Sequence, residues 1–269
     1  MSQNPLAFIS GASSGIGRAT AKMLAAQGFD LLLMARRETL LNELKNEIEQ
    51  LNKQNLMNSQ NPLARPAQVH LMVGDVASFT NIQKLIATHQ SLLSHLTLVV
   101  NNAGLAKGSD PLHKNSISDI DQVIDTNVKG LLYLTHQLLP YLLNNNNGHI
   151  VNLGSVAGRW TYPGGTVYCA SKYAVTAITE ALRQDLHGTN IRVTNIEPGM
   201  VESEFSVVRF NDEAKAKSVY AGMQPLTPDD IAECIGWCVS RPTHVNIQEL
   251  VIYPTQQSAI RQVHRQTQK

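Results

Sequence analysis

Short apolar runs alternate with helical apolar stripes along the whole chain. The first run, residues 6–10, ends in S-G-A-S-S-G-I-G, and the helix-forming stretch R-A-T-A-K-M-L-A-A-Q follows it and stops at Gly28. Residues 30–35 predict a second strand, after which Leu41, Leu44, Ile48 and Leu51 fall at helical spacing. Further strands are expected over residues 69–73, 96–100, 149–153, 191–196 and 250–253. Between them lie helical patterns over residues 82–93 and 117–143, the second interrupted around Asn127 and Gly130. After Tyr168, the positions Ala174, Ala177, Ile178, Ala181 and Leu182 mark one face of an amphipathic helix. Thr227-Pro228-Asp229-Asp230 offers an N-cap, a proline at the first helical position and acids in the first turn. The Asn/Gln-rich residues 54–66 predict a surface loop, and the weakly regular residues 200–226 predict a lid or substrate loop.

Strands and helices that alternate without a break in composition predict one α/β domain over residues 1–254. It is a Rossmann-type, doubly wound and mostly parallel sheet with helices on both faces. Residues 255–269 read as a polar, basic tail. In such sheets ligands bind at the C-terminal ends of the strands, which is where this chain places its unusual residues.

Composition narrows the classes. Of 269 residues, 43% are hydrophobic and only 16% charged, ample for a buried core. A net charge of +1 leaves no electrostatic footprint for nucleic acid or an acidic membrane. No apolar run approaches the ~18 residues of a membrane span, and the first residues lack the basic region and cleavage site of a secretory signal. Cys169, Cys234 and Cys238 make neither a disulfide framework nor a metal set, so small core residues in a reducing cytoplasm are expected.

The chemistry begins at the glycine-rich turn. Gly11, Gly15 and Gly17, between a strand and a helix, suit backbone N–H groups that meet a pyrophosphate. At the end of the second strand a dinucleotide fold that takes NAD carries an acid for the ribose 2′-OH; this chain has Arg36 and Arg37, which suit a 2′-phosphate and hence NADP. Asp75, in G-D-V, can reach an adenine amino group. The small and amide residues Asn102, Ala103 and Gly104 allow close approach of a cofactor. Asn127, unfavourable within a helix, marks a kink or a functional polar group. Ser155 follows the fifth strand, and Tyr168 and Lys172, four apart, share one helix face. An ammonium group beside a phenol is expected to lower its pKa toward the range of a general acid or base. An acid substrate needs a cation, and Arg159 and Arg209 stand in segments expected to border the pocket.

These motifs, in this order, resemble the short-chain dehydrogenase/reductase family: S-G-A-S-S-G-I-G, G-D-V, N-N-A-G, Asn127, Ser155, Y-C-A-S-K and P-G, over residues 6–254. Ser10 stands where the family has threonine. The resemblance implies Tyr168 as acid/base, Lys172 lowering its pKa and holding the nicotinamide ribose, Ser155 orienting the substrate oxygen, and Asn127 holding a relay water. It also implies cofactor contacts from Ser13, Ser14, Ile16, Val76, Pro198, Gly199 and Val201. N-N-A-G-L-A-K-G, Y-P-G-G-T-V-Y and I-E-P-G-M-V-E-S-E-F are similar to NADP-dependent 3-hydroxy acid dehydrogenases, also described as serine or allo-threonine dehydrogenases. That likeness implies a homotetramer built through the two long helices before and after the fifth strand. A reductase of larger carbonyl or 3-oxoacyl substrates, and a non-catalytic NADPH-binding sensor, are the alternatives.

Overall fold

The computed structural model describes residues 4–58 and 65–266. Seven parallel strands form one sheet in the order β3-β2-β1-β4-β5-β6-β7. They are β1 (Leu6–Ser10), β2 (Asp30–Ala35), β3 (Val69–Val73), β4 (Leu96–Asn101), β5 (Gly148–Leu153), β6 (Ile191–Pro198) and β7 (Glu249–Ile252). Most are nearly continuous apolar runs because both faces are covered.

Alternate strand residues feed two cores. Ala7, Ile9, Leu31 and Leu33 pack with helices α1 (Gly15–Ala26), α2 (Glu38–Asn58) and α10 (Pro228–Val239) through Leu24, Leu41, Leu44, Ile48, Ile231 and Ile235. Leu6, Phe8, Leu32 and Met34 face the other way. They pack with α3 (Phe79–Thr88) and α6 (Leu131–Asn145) through Ile82, Ile86, Leu134, Leu138 and Leu142. One-turn α4 (Gln90–Leu93) follows α3, so the helix expected over residues 82–93 is broken at His89. Helix α10 starts as its sequence indicates, with Thr227 and Asp230 capping one another.

The expected interruption at Asn127 is a π-helical turn, Asp125–Gly130, between α5 (Ile117–Ile124) and α6. Such turns recur at functional sites. Here the turn sits against Val76: a Cβ on Gly130 would lie 2.8 Å from Val76 Cγ2. Helix α7 (Thr166–Asp185) carries Tyr168 and Lys172 in its first two turns.

Three expectations change. Helix α2 continues to Asn58, so the expected surface loop loses its first residues to a helix; residues 59–64 lie outside the described residues. Residues 200–226 contain two short helices, α8 (Glu204–Phe210) and α9 (Glu213–Ser218), capped by the Ser203 and Asp212 side chains. The tail after residue 254 is, through residue 266, a folded part of the domain. It includes the antiparallel pair β8 (Gln257–Ala259) and β9 (Gln262–Val263), while residues 267–269 lie outside the described residues. Buried Gln257 explains the folding back, since its Oε1 accepts from Met200 N at 2.8 Å. Among the described residues no helix is long and apolar enough to cross a membrane, and no group of His, Cys, Asp or Glu is arranged to hold a metal ion.

Candidate active site

Chain reversal between β1 and β4 opens a crevice at the C-terminal edge of the sheet. A cavity of about 850 Å³ fills it. Its lining takes in Gly11, Ser13, Ser14, Gly15, Ile16, Arg36, Arg37, Asp75 and Val76 at the β1–β3 end. Asn102, Ala103 and Gly104 line the middle, and Ser155, Tyr168, Lys172, Pro198, Gly199, Val201 and Arg209 line the β5–β6 end.

The glycine-rich turn is shaped by contacts that exclude larger residues. Gly11 has φ +66°, and a Cβ there would lie 2.9 Å from Ala103 Cα. The Asn102 side chain donates to Ser10 O at 3.0 Å and Gly11 O at 3.1 Å, fastening this turn to the end of β4. Ser10 Oγ accepts from Asn102 N and Ala103 N, a role that a serine fills as well as a threonine. Gly17 does not line the cavity. It lies beneath the turn, against Gly11 and Asn102, and its lack of a side chain lets α1 approach.

Ser14 is the N-cap of α1 but makes no side-chain cap bond, and the first turn holds no acid. The helix therefore presents open N–H groups and the positive end of its dipole to the cavity. The two arginines after β2 differ. Arg37 donates to Ser14 Oγ at 2.7 Å and Ser13 Oγ at 3.1 Å and pairs with Glu204 of α8 at 3.0 Å. Arg36 is 60% exposed and only 3.8 Å from Asp75, so its guanidinium is free to turn toward a ligand. This donor set, a bare helix N-terminus followed by two cations, fits a dinucleotide that carries an extra phosphate.

At the other end Lys172 Nζ is buried and donates to Leu153 O at 2.6 Å. Burial lowers its pKa to about 8. The Lys172 ammonium group is 5.9 Å from the centre of the Tyr168 ring, and the Phe205 ring from α8 lies 5.6 Å from it on centres. The lowered phenol pKa expected from Lys172 is not found. Enclosure pushes Tyr168 up from its ordinary value, and a hydrogen bond with Ser155 opposes the rise only in part. The hydrogen bond of Lys172 goes to a strand carbonyl, and Phe205 and Tyr162, neither singled out in the sequence, line the cavity beside the phenol. Tyr162 is held at the Y-P-G-G turn, where a Cβ on Gly165 would lie 2.5 Å from its ring.

Asn127 does not line the cavity. Its side chain donates to Leu105 O at 2.8 Å and Ser171 Oγ at 3.0 Å and accepts from Leu105 N at 2.9 Å. It ties Leu105, in the loop after β4, to Ser171 on the helix of Tyr168. Arg159 is also absent from the lining, which overturns its expected contact with substrate. Its guanidinium is held by Glu197 and Glu249. Glu197 is fully buried, and a buried carboxylate needs a cation more than the pocket does. Arg209 does border the cavity. Its Nε donates to Gly108 O at 2.8 Å, its backbone oxygen accepts from Gly108 N, and its guanidinium stacks over Tyr162 and Phe210.

Comparison with known proteins agrees with this geometry. The short chain dehydrogenase family model matches residues 5–214. The NADP-dependent 3-hydroxy acid dehydrogenase YdfG of Escherichia coli (strain K12) is 40% identical over 264 residues, 97% of this chain and 100% of that protein. Sulfoacetaldehyde reductase 2 of Chromohalobacter salexigens is 41% identical over 255 residues, covering 94% of this chain and 95% of the relative. The closed form of a serine dehydrogenase complexed with NADP+ superposes with a TM-score of 0.84 at 39% identity, over 97% of this chain and all of the other.

Proposed function

The chain belongs to the short-chain dehydrogenase family and is an NADP-dependent oxidoreductase, and from that premise we propose that it interconverts a small 3-hydroxy acid, such as serine or allo-threonine, and its 3-oxo partner. The observation that carries the substrate class is the β5–β6 end of the cavity. Two hydroxyl groups, Ser155 and Tyr168, stand there with Lys172 and Arg209, and both lining carboxylates, Asp75 and Glu204, are paired with Arg36 and Arg37. The relatives' names supply a second support. A 3-hydroxy acid and sulfoacetaldehyde both hold one carbon between the reacting carbon and the central atom of the anion. One cation placed for the first also serves the second.

Bound NADP supplies or accepts the hydride. Tyr168 gives its proton to the carbonyl oxygen as that oxygen gains charge, and takes a proton back when an alcohol is oxidised. A phenol that holds its proton firmly is the acid form that reduction requires. Ser155 donates to the same oxygen and fixes it against the phenol. Lys172, held by Leu153 O, adds positive charge below the ring. The pyrophosphate is held by Gly11, Ser13, Ser14, Gly15, Ile16 and the N-terminus of α1, the adenosine by Arg36, Arg37, Asp75 and Val76, and the nicotinamide end by Asn102, Ala103, Gly104, Lys172, Pro198, Gly199 and Val201. The protein assembles as a homotetramer through α6 and α7, which leave Leu132, Leu143 and Tyr173 exposed, and it works in the cytoplasm.

Arg36 sets cofactor choice because it is the freer of the two arginines. Arg36→Ala weakens NADPH binding about ten- to a hundredfold, the loss of a contact worth ~1.5–3 kcal/mol, and leaves NADH binding little changed. Arg37→Ala weakens both, since it also releases Ser13 and Ser14. Titration of each cofactor against each variant separates the two; equal losses in Arg36→Ala contradict the assignment.

The substrate class is tested at Arg209. Arg209→Met lowers kcat/KM for 3-hydroxybutyrate about ten- to a hundredfold more than for a neutral alcohol of similar size. Equal losses for the two substrates mean that Arg209 latches the lid to Gly108 and does nothing more.

A further inference from the structure

Charge is spread unevenly round the cavity. At the β1–β3 end each cation has a carboxylate: Arg36 faces Asp75 and Arg37 pairs with Glu204. At the β6 end Lys172, Arg209, Arg261 and Arg265 line the wall with no acid among the remaining lining residues. Lys172 is on α7 beside Tyr168 and Arg209 is on α8, while Arg261 and Arg265 lie in the segment after β7 that is fastened to Met200 and Gly222. Three of these four cations are engaged. Lys172 donates to Leu153 O, Arg209 to Gly108 O, and Arg265 to Ala221 O and Val219 O. Arg261 has no hydrogen-bond or ion-pair partner among the described residues.

Arg261 stands at the turn between β8 and β9, and that hairpin is well fixed. Gln257 holds Met200 N at one end of the segment bearing α8 and α9. At the other end Gln256 holds Gln224 N, and Gln266 N donates to Gly222 O at 2.7 Å. The hairpin thus bridges both ends of the segment that covers Tyr168, and it offers one unpaired guanidinium to the cavity.

We propose that Arg261 is a specificity-determining residue that contacts the anionic group of the substrate and, with Arg209, sets the preference for acids over neutral alcohols. This rests on the proposed small hydroxy-acid substrate. A guanidinium suits the task because its planar fork of N–H donors matches a carboxylate or a sulfonate. Its position at an exposed hairpin tip also lets it draw anions in from solution, an effect that salt screens.

The test compares kcat/KM for 3-hydroxybutyrate and for 2-butanol in the parent enzyme, Arg261→Gln and Arg261→Lys, at low and high ionic strength. In Arg261→Gln the acid-to-alcohol ratio falls about ten- to a hundredfold, carried by KM more than kcat, and its salt dependence shrinks. Arg261→Lys keeps most of the ratio. A ratio in Arg261→Gln within threefold of the parent overturns the proposal and leaves the proposed function standing. Equal losses for both substrates overturn it too, because they describe a structural role for the hairpin. If the parent itself shows no preference for the acid, the substrate class has failed and the proposal fails with it.

Discussion

Tyr168→Phe is expected to lower turnover about 10²–10⁴-fold while cofactor binding stays close to that of the parent. The substitution removes one hydroxyl and keeps the ring. Its packing against Phe205, 5.6 Å away on centres, and its place above Lys172 are retained. Ser155 remains able to donate to a substrate oxygen, yet its Oγ otherwise donates to Pro198 O and accepts from Ala157 N, and the phenol beside it is the group removed. The loss should therefore fall on kcat. Steady-state rates and a fluorescence titration with NADPH separate the two effects. Turnover within threefold of the parent contradicts the role given to Tyr168.

Arg159→Met is the second large effect, and it falls on stability. Glu197 is fully buried, and Arg159 is its cation. Asn195 donates to Glu197 Oε1 at 2.6 Å, which satisfies one oxygen but supplies no charge. Removing one partner of such a pair costs about 3–5 kcal/mol. Arg159 is itself partly exposed, so the lower end, roughly 3 kcal/mol, is expected. Burial already raises the Glu197 pKa, and Arg159 opposes that rise. Without Arg159 the carboxyl is pushed further up, so the folded variant binds a proton that the unfolded chain releases. Its stability is then greatest below the ordinary carboxylate pKa and falls as pH rises through the raised value. Urea unfolding of Arg159→Met at pH 5 and pH 8 should show the larger deficit at pH 8. Adding Glu197→Gln should recover much of it. A variant as stable as the parent at both pH values would mean that the buried charge is met in some other way.

This pair also shows why part of the site was not legible in the sequence. Arg159 stands four positions after Ser155, but that spacing does not say which way the side chain turns after the short 3₁₀ turn Val156–Gly158. The direction is decided by a carboxylate on β6, 38 positions along the chain. Ser155, Tyr168 and Lys172 were legible because a strand end and a helix start fix them locally. Most of the strands were legible for a similar reason, as buried parallel strands leave unbroken apolar runs. The hairpin after residue 254 left no such mark. Its strands are three and two residues long, too short for an alternation to register, and what holds it down is the side chain of Gln257. The burial of the Tyr168 phenol was equally hidden, and it reverses the pKa direction that the Tyr–Lys spacing suggests. Helices α8 and α9 carried visible caps in Ser203 and Asp212, but seven and six residues give little periodicity.

The activity proposed for this cavity is NADP-linked oxidation of a small 3-hydroxy acid. Initial rates of NADP+ reduction with serine, allo-threonine, 3-hydroxybutyrate, 3-hydroxypropionate and 2-butanol test it most directly, with NAD+ in parallel. At least one of the acids is expected to turn over with NADP+, with a kcat/KM about tenfold or more above that for 2-butanol and much weaker activity with NAD+. No turnover of any of the acids, or a preference for the neutral alcohol, would contradict it.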